Sequence, residues 1–353
     1  MTDVVVCVDG LDPAYLDESP TPRWDEIADR GAEGTCEGVV PSLTNVNNVS
    51  IVTASFPDSH GITGNTFYDR ERDELVYMED PKFLRTSTVL EERAAAGETV
   101  AALVAKEKLE RMVGRGCDVI ASAESPPEWL TDAVGDAPDI YSGAASRWLL
   151  AAATHVIDEV GPDLLYVSTT DVVPHKHAPG TPPATEWVTD VDAGIGRLAD
   201  RAETLVATAD HGMNHKTTCL DVEAMLAEAG YPAEVIRLIR DKHTYHHQNL
   251  GGAAYVYLHE HDVDAIRWLA DRDGIDAVLD APTAAARFGL PTDRIGDAML
   301  IGAPDAVFGP VEGATRESVD LRSHGSTHER RVPYLATAPV TLESNTDAFE
   351  VLP

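Results

Sequence analysis

At 353 residues, 43% of them hydrophobic, the chain is long enough to bury a sizeable core, either as one large α/β domain with an insertion or as two domains. Its 60 acidic and 27 basic residues give a formal net charge of -33, which leaves no basic stripe for a nucleic-acid polymer, and no apolar run approaches the roughly 18 residues of a membrane span. The acids are scattered, as in DVEAMLAEAG and LHEHDVDAI, and lysine is scarce (six against 21 arginines), a halophilic pattern in which the whole surface is adapted to high salt rather than to one cationic partner.

In chain order, VVVCV at 4–8 is a continuous apolar run bounded by acids, as in a strand buried on both faces. No basic region precedes it, so the N-terminus reads as this strand and not as a signal peptide, and the expected setting is cytoplasmic. A helix follows over 22–30, opened by Pro22 and stopped by Gly31, and then a strand from Gly34 to Val40. Residues 44–55 read as a helix entered through PSLTN, 88–96 as a helix ended by Gly97, and 99–104 as a strand. DLLYVSTTD (163–171) and ETLVATADHG (203–212) are the two clearest buried strands, and between them Val188, Val191, Ile195 and Leu198 share one helical face. This rhythm predicts an α/β fold, a mostly parallel central sheet with helices on both faces. From about 215 to 320 the pattern changes: AAYVYL, a helix near 262–272, DAVLDAP and DAMLIGAP mix strands and turns, as in a smaller α+β cap insertion. The expected division is a catalytic core of residues 1–214 and 321–353 with a cap of 215–320. Cys7, Cys36, Cys117 and Cys219 lie far apart without a CxxC pair, which suggests neither a zinc knuckle nor a disulfide framework.

Polar clusters fall at the C-terminal ends of the predicted buried strands, where open parallel sheets assemble their sites. Asp9 follows the first strand, Asp171 ends the second with His175 four residues on, and Asp210 and His211 end the third. His324 sits in the Gly-flanked turn LRSHGSTHER. Singly, each has an ordinary explanation, an Asp as a helix cap or a His as a turn residue. Together they offer three or four ligands around each of two divalent ions, and mixed Asp/His ligation suits zinc or a similar first-row metal. Thr44, in PSLTNVNN, lies at a strand-to-helix turn where backbone N–H groups favour anions. Bound to a metal, its hydroxyl is a usable nucleophile; alone, Thr44 or Ser42 would read as an N-cap.

These residues, in this order, resemble the alkaline phosphatase superfamily, and within it the branch of phosphonoacetate hydrolases and nucleotide pyrophosphatase/phosphodiesterases. The resemblance runs over nearly the whole chain, through VDGLDPAYL, PSLTNVNNVSIVTASFPDSHGITGNTFYD, DPKFLR, AKEKL, STTDVVPHKHAPG, TADHGMNHK, HHQNLGG, RIGDAML and LRSHGSTHE. PSLTNVNN and HGITGN, with DPKFLR and AKEKL, are more similar to phosphonoacetate hydrolase than to a generic diesterase. The resemblance implies two Zn2+ ions, or other divalent first-row metals, one held by Asp171, His175 and His324 and the other by Asp9, Asp210, His211 and the Thr44 hydroxyl. It also implies that Thr44 attacks phosphorus in line and that water then releases a phosphothreonine intermediate.

The implied substrate is a small-molecule phosphonate or phosphodiester. For phosphonoacetate, whose leaving group is a carbanion stabilised by the neighbouring carboxylate, the family-matched cations are Lys106 and Lys108. Alternation on an extended segment would point both to one face, whereas a helix start KEKLERM would leave them solvated. Asn65 matches the position expected to donate a hydrogen bond to a phosphoryl or phosphonyl oxygen. The family's further lysine before TADHGM is missing here, where only Arg197 and Arg201 occur. His243, His246 and His247 either line the cap side of the cleft or form a plain loop. A diesterase or nucleotide pyrophosphatase would instead need an aromatic slot, for which Phe67 and Tyr68 are the candidates. A phosphomutase would use Ser in place of Thr44. The sequence leaves the oligomeric state open, and a homodimer is compatible with it.

Overall fold

The computed structural model describes residues 1–242, 247–260 and 263–353. In the first part of the chain its strands are β1 (Thr2–Cys7), β2 (Ala32–Glu37), β3 (Thr66–Asp69), β4 (Glu74–Tyr77), β5 (Val100–Val104), β6 (Val119–Ser122), β7 (Leu164–Ser168) and β8 (Ala202–Thr208). Then come β9 (Asn214–Leu220), β10 (Ala233–Arg237), β11 (Ala253–Leu258), β12 (Ile275–Asp280), β13 (Ala298–Gly302), β14 (Ala306–Phe308), β15 (Arg316–Ser323) and β16 (Arg331–Ala336).

Seven of these form the central sheet in the order β2-β16-β8-β1-β7-β5-β6. From β8 to β6 all pairs are parallel, and β16 runs antiparallel to both β8 and β2. The fold is thus α/β with a mostly parallel sheet. β1, β5 and β7 are buried at every position, as expected of strands covered on both faces, and their runs of Val, Leu and Ala supply the centre of the core. On one face the helices Pro22–Ala28, Ala144–Glu159 and Pro182–Ala199 pack against one another and the sheet. Thr44–Thr53, Val89–Ala95 and Glu107–Val113 form a separate set on the other.

Local chemistry accounts for the helix starts. Thr88 and Glu91 form a capping box at Val89–Ala95, and Pro22 opens its helix at a position that needs no N–H. The remaining free amides of that helix, Trp24 and Arg23, are met from a distance by the Asp192 carboxylate at 2.7 and 3.2 Å. The strand expected at 34–40 is shifted to Ala32–Glu37, because it forms a half-exposed sheet edge whose burial alternates. The helix Ala144–Glu159 has no counterpart in the sequence reading, and residues 331–336 enter the sheet as β16, between the edge strand β2 and β8.

Beyond β8 the chain builds an antiparallel four-stranded sheet, β10-β11-β13-β12, over its own small core around Leu226, Leu269 and Leu300. A three-stranded sheet, β14-β9-β15, joins it to the rest, and β15 runs across residue 320. The β3–β4 hairpin from the first part of the chain packs on the four-stranded sheet, with Thr66 Oγ1 donating to the Arg237 carbonyl and Tyr68 edge-on to Tyr257. Among the described residues no helix is long and apolar enough to cross a membrane.

The register of the middle strands positions the functional site. Cys7 of β1 lies opposite Ser168 of β7 on one side and Thr208 of β8 on the other. The three strands therefore end level, and whatever follows them emerges at one edge. Leu165, fully buried in β7, should be among the side chains this arrangement depends on. Leu165→Ala is expected to lower the unfolding free energy by about 2–5 kcal/mol, measured by chemical denaturation, through lost burial and a residual cavity.

Candidate active site

Just beyond the level ends of β1, β7 and β8 stand Asp9, Asp171 and Asp210, all buried. Two groups of potential metal ligands result, Asp171 with His175 and His324, and Asp9 with Asp210 and His211, the ligand atoms of each lying within 4.8 Å of one another. Asp171 occupies the N-cap position of the short helix Val172–Lys176, yet its side chain makes no capping hydrogen bond. Its Oδ2 lies 2.9 Å from His175 Nε2, one helical turn on, and 3.7 Å from His324 Nε2. The His211 and His324 rings stack at 3.5 Å between centroids, so the two groups adjoin.

Thr44 is not an N-cap. Leu43 holds that position, and Thr44 is the first residue of the helix Thr44–Thr53. Its Oγ1 lies 3.2 Å from His211 Nε2 and 3.5 Å from Asp9 Oδ1, on the side of the second group. Ser42 does not cap either, for its hydroxyl donates to the Ser326 carbonyl at 2.6 Å.

The imidazoles are oriented by backbone carbonyls. His175 Nδ1 meets the Arg322 carbonyl at 2.7 Å, His324 Nδ1 meets that of Ser42 at 2.7 Å, and His211 Nδ1 meets that of Gly212 at 3.0 Å. A carbonyl can only accept, so each Nδ1 carries a proton and each Nε2 is the atom turned toward the centre. Asp210 is oriented in the same manner. Its Oδ1 accepts from the Gly10 and His211 amides and its Oδ2 from Asn48 Nδ2, while Asn48 Oδ1 accepts from the Tyr166 hydroxyl at 2.6 Å. Gly10 is required where it stands: φ is +74°, and a Cβ there would lie 3.0 Å from the Cβ of Asp171.

Burial, followed by the charges of Asp171 and Asp210, pushes the Asp9 carboxyl well above its usual range. Burial and the neighbouring His211 and His175 hold His324 well below the ordinary imidazole range. Imidazole Nε2 atoms turned toward crowded carboxylates form a donor set that divalent cations satisfy, and the residues present fit a two-metal centre.

The pocket here is walled by Asp9 of one group and by Asp171 and His324 of the other, together with Thr44, Asn45, Asn65, Lys106, Lys108, Asp241 and His247. Burial alone would lower Lys106, but the carboxylates of Asp171, Asp9 and Asp241 outweigh it and raise its pKa. Lys108 is lowered by burial despite its ion pair with Asp241 at 3.0 Å. The lysines do not alternate on an extended segment. Lys106 is the N-cap of the helix Glu107–Val113 and Lys108 lies in its first turn, and both still reach the pocket wall. Asn65 is fixed from the cap side, its amide N–H bonded to the Leu238 carbonyl and its Nδ2 to that of Ile239, while its Oδ1 accepts from Asn45.

His247 is buried in the pocket wall with its ring 5.9 Å from that of His175, whereas His243 and His246 lie outside the described residues. Phe67 and Tyr68 form no slot here. Phe67 packs edge-on against Phe83 and Tyr68 against Tyr257, and both face a different cavity. Arg201 pairs with Asp158 at 2.8 Å, and neither it nor Arg197 lines the pocket. Sequence reasoning missed Asn45, Asn48 and Asp241. The first two stood inside PSLTNVNN, where their i+4 relation to Thr44 was available for Asn48, but Asp241 carries no signal among 60 acids.

A family model described as type I phosphodiesterase / nucleotide pyrophosphatase matches residues 4–327. An uncharacterized pyrophosphatase/phosphodiesterase of Schizosaccharomyces pombe is 24% identical over 242 residues, 60% of this chain and 44% of that protein. Human ectonucleotide pyrophosphatase/phosphodiesterase family member 5 is 23% identical over 231 residues, again 60% and 44%, so the match spans less than half the length of these relatives. Among solved structures, phosphonoacetate hydrolase from Sinorhizobium meliloti in complex with phosphonoformate superposes with a TM-score of 0.91 at 35% identity, covering 98% of this chain and 93% of that one. Human ectonucleotide pyrophosphatase/phosphodiesterase 5 shares the fold, with a TM-score of 0.71 at 18% identity, covering 99% and 93%.

The crowded carboxylates make metal removal measurable. Chelation at neutral pH is expected to lower the melting temperature, and re-adding divalent metal to restore it. The sign with pH follows from Asp9. Its raised pKa means that a falling pH protonates it above the usual carboxylate range in the metal-free protein, which relieves repulsion there and opposes metal binding. The gap in melting temperature between loaded and chelated protein should therefore shrink as pH falls from 8 toward the carboxylate range.

Proposed function

Because the chain belongs to the type I phosphodiesterase / nucleotide pyrophosphatase family of the alkaline phosphatase superfamily, and is a metal-dependent hydrolase of phosphorus compounds, we propose that it is a two-zinc phosphonoacetate hydrolase with Thr44 as nucleophile. The core of 1–214 and 321–353, the cap of 215–320, a cytoplasmic setting and a high-salt milieu belong to the same proposal. The observation that carries the substrate is the presence of Lys106 and Lys108 in the wall of a pocket that also contains Thr44, Asp9, Asp171 and His324.

In this reading Asp171, His175 and His324 hold one zinc, and Asp9, Asp210, His211 and the Thr44 hydroxyl hold the other. When bound, such ions lower the pKa of a coordinated hydroxyl and offset charge on the phosphoryl oxygens. The helix beginning at Thr44 directs its free N–H groups and its dipole at an anion beside the hydroxyl. Asn65 has one Nδ2–H committed to Ile239 and a second left for a phosphonyl oxygen. Thr44 Oγ1 forms a bond to phosphorus as the P–C bond breaks. The electron pair passes to the methylene carbon and is delocalised into the carboxylate. Lys106 and Lys108 offset that charge, protonation at carbon gives acetate, and water hydrolyses the phosphothreonine to phosphate.

The diesterase alternative is favoured by the family's description, but it lacks a base-binding surface. Among the described residues of the pocket wall the only aromatic rings are the imidazoles of His247 and His324, and Phe67 and Tyr68 face elsewhere.

Two measurements test the proposal. Zinc-loaded protein in high salt is expected to release phosphate from phosphonoacetate, with kcat/KM lowered on the order of 100-fold in Lys106→Ala and Lys108→Ala. Turnover of bis-aryl phosphodiesters alone would transfer the assignment to the diesterase reading. Thr44→Ala is expected to retain its metals and lose turnover, and wild-type activity in that variant would remove Thr44 as the nucleophile.

A further inference from the structure

Lys216 and Glu329 are both fully buried and form an ion pair at 2.7 Å, and no step above uses either. An ion pair so placed is expensive, since two desolvated charges commonly recover less than well-packed apolar side chains would. Its surroundings indicate what it does. Glu329 Oε1 accepts from Lys216 Nζ and from Asn214 Nδ2 at 2.8 Å. Its Oε2 accepts from the Ser326 amide at 2.9 Å and the Ser326 hydroxyl at 2.7 Å. Four donors fill the four acceptor sites of one carboxylate, and burial notwithstanding, Lys216 holds its pKa below the usual value.

Each donor belongs to an element that carries part of the centre. Asn214 and Lys216 lie on β9, directly after Asp210 and His211, and the Gly212 amide donates to the Glu329 carbonyl at 2.7 Å. Ser326 lies two residues after His324. The Ser326 carbonyl accepts from Ser42 Oγ, Ser42 Oγ accepts from the Gly325 amide at 3.2 Å, and the Ser42 carbonyl receives His324 Nδ1. Ser42 is two residues before Thr44. One carboxylate thus joins the segment holding His211, the segment holding His324 and the turn that presents the candidate nucleophile.

We propose that Glu329, clamped by Lys216, is a positioning residue that sets the spacing between the two metal groups and the Thr44 turn, an inference that rests on the two-metal reading above. Glutamine could not substitute for it. Its single oxygen replaces only one acceptor pair, and its amide would present N–H bonds to donors. Lys216 supplies the counter-charge that lets a carboxylate remain ionised in this place.

The test compares Lys216→Met, Glu329→Gln and the double variant in the full chain by melting temperature, zinc stoichiometry and affinity against a competing chelator, and steady-state kinetics. The substrate is whichever of phosphonoacetate and bis-aryl phosphodiester the wild-type protein turns over. Lys216→Met and Glu329→Gln, each of which leaves a lone buried charge, should melt lowest. The double variant should recover most of the melting temperature, because no charge is stranded. It should nevertheless remain down by roughly 10- to 100-fold in zinc affinity and kcat, with KM little changed. A double variant with wild-type zinc affinity and kcat would overturn the positioning role and leave a stabilising pair only. Ser42→Ala, which cuts the same link at its far end without touching a charge, is expected to lose zinc affinity and kcat with a smaller loss of melting temperature than Lys216→Met, and unchanged zinc affinity and kcat in it would also count against the role. A wild-type protein that binds fewer than two zinc ions would defeat the two-metal reading itself, and this one with it.

Discussion

Three carboxylates held together in a dry place are the constraint to which the rest of this structure answers. Asp9, Asp171 and Asp210 are brought close because β1, β7 and β8 are parallel, adjacent and level at their ends. Parallel pairing is set by buried Val, Leu and Ala on both faces of the sheet, so ordinary core packing is what forces like charges into one spot. Such crowding is unfavourable without cations, and the raised Asp9 pKa expresses the cost. The core, in this sense, stabilises an arrangement that remains electrostatically incomplete until metal arrives.

The surroundings of the carboxylates limit how that incompleteness can be resolved. Each histidine gives its Nδ1 proton to a backbone carbonyl, so rotation or tautomer exchange would break a hydrogen bond of about 1 kcal/mol or more in a buried site. Asp210 is fixed by two amides and by Asn48, and Asn48 in turn by Tyr166. Backbone partners cannot swing away as side chains can. The donor atoms are therefore pre-oriented, and the entropy of assembling them has been met during folding.

How much of this could be read from sequence depends on how local each signal is. The apolar runs within β1, β7 and β8 are legible because burial on both faces leaves few polar residues among them. The acids and imidazoles that follow stand out against that background. Strand β2 was displaced in the reading because an edge strand is half exposed and has no sharp apolar boundary. The helix Ala144–Glu159 was not read at all; Ala145, Ala152 and Ala153 bury little area each, so its apolar stripe is muted although its buried face is continuous. Asp171 shows the limit of local reasoning most clearly. Taken singly it would read as a helix cap; only its company with His175 and His324 marked it as a ligand, and in the structure it holds the N-cap position while its carboxylate lies beside those two imidazoles. Asp241, Asn45 and the Lys216–Glu329 pair depend on contacts between distant segments, and no pattern within a window of sequence encodes them.

A net charge of -33 repels a phosphonate at long range, but screening confines that repulsion to about 8–10 Å at ordinary ionic strength and to less in concentrated salt. Within that distance the pocket decides, and its charges are arranged differently from the surface. Two of the chain's six lysines line it, and Lys106 stays protonated because Asp171, Asp9 and Asp241 surround it. The same carboxylates that call for metal thus keep a cation beside them in the metal-free state. Were divalent ions to neutralise Asp9 and Asp171, as proposed, the charge on Lys106 would be freed from that duty and available to an anionic ligand. Lys108 is held differently, by Asp241 at the pocket wall, and remains paired until a ligand competes for it. Affinity for an anionic substrate and occupancy by metal are on this account coupled through shared carboxylates, and the acidity of the interior is what makes the pocket cationic when loaded.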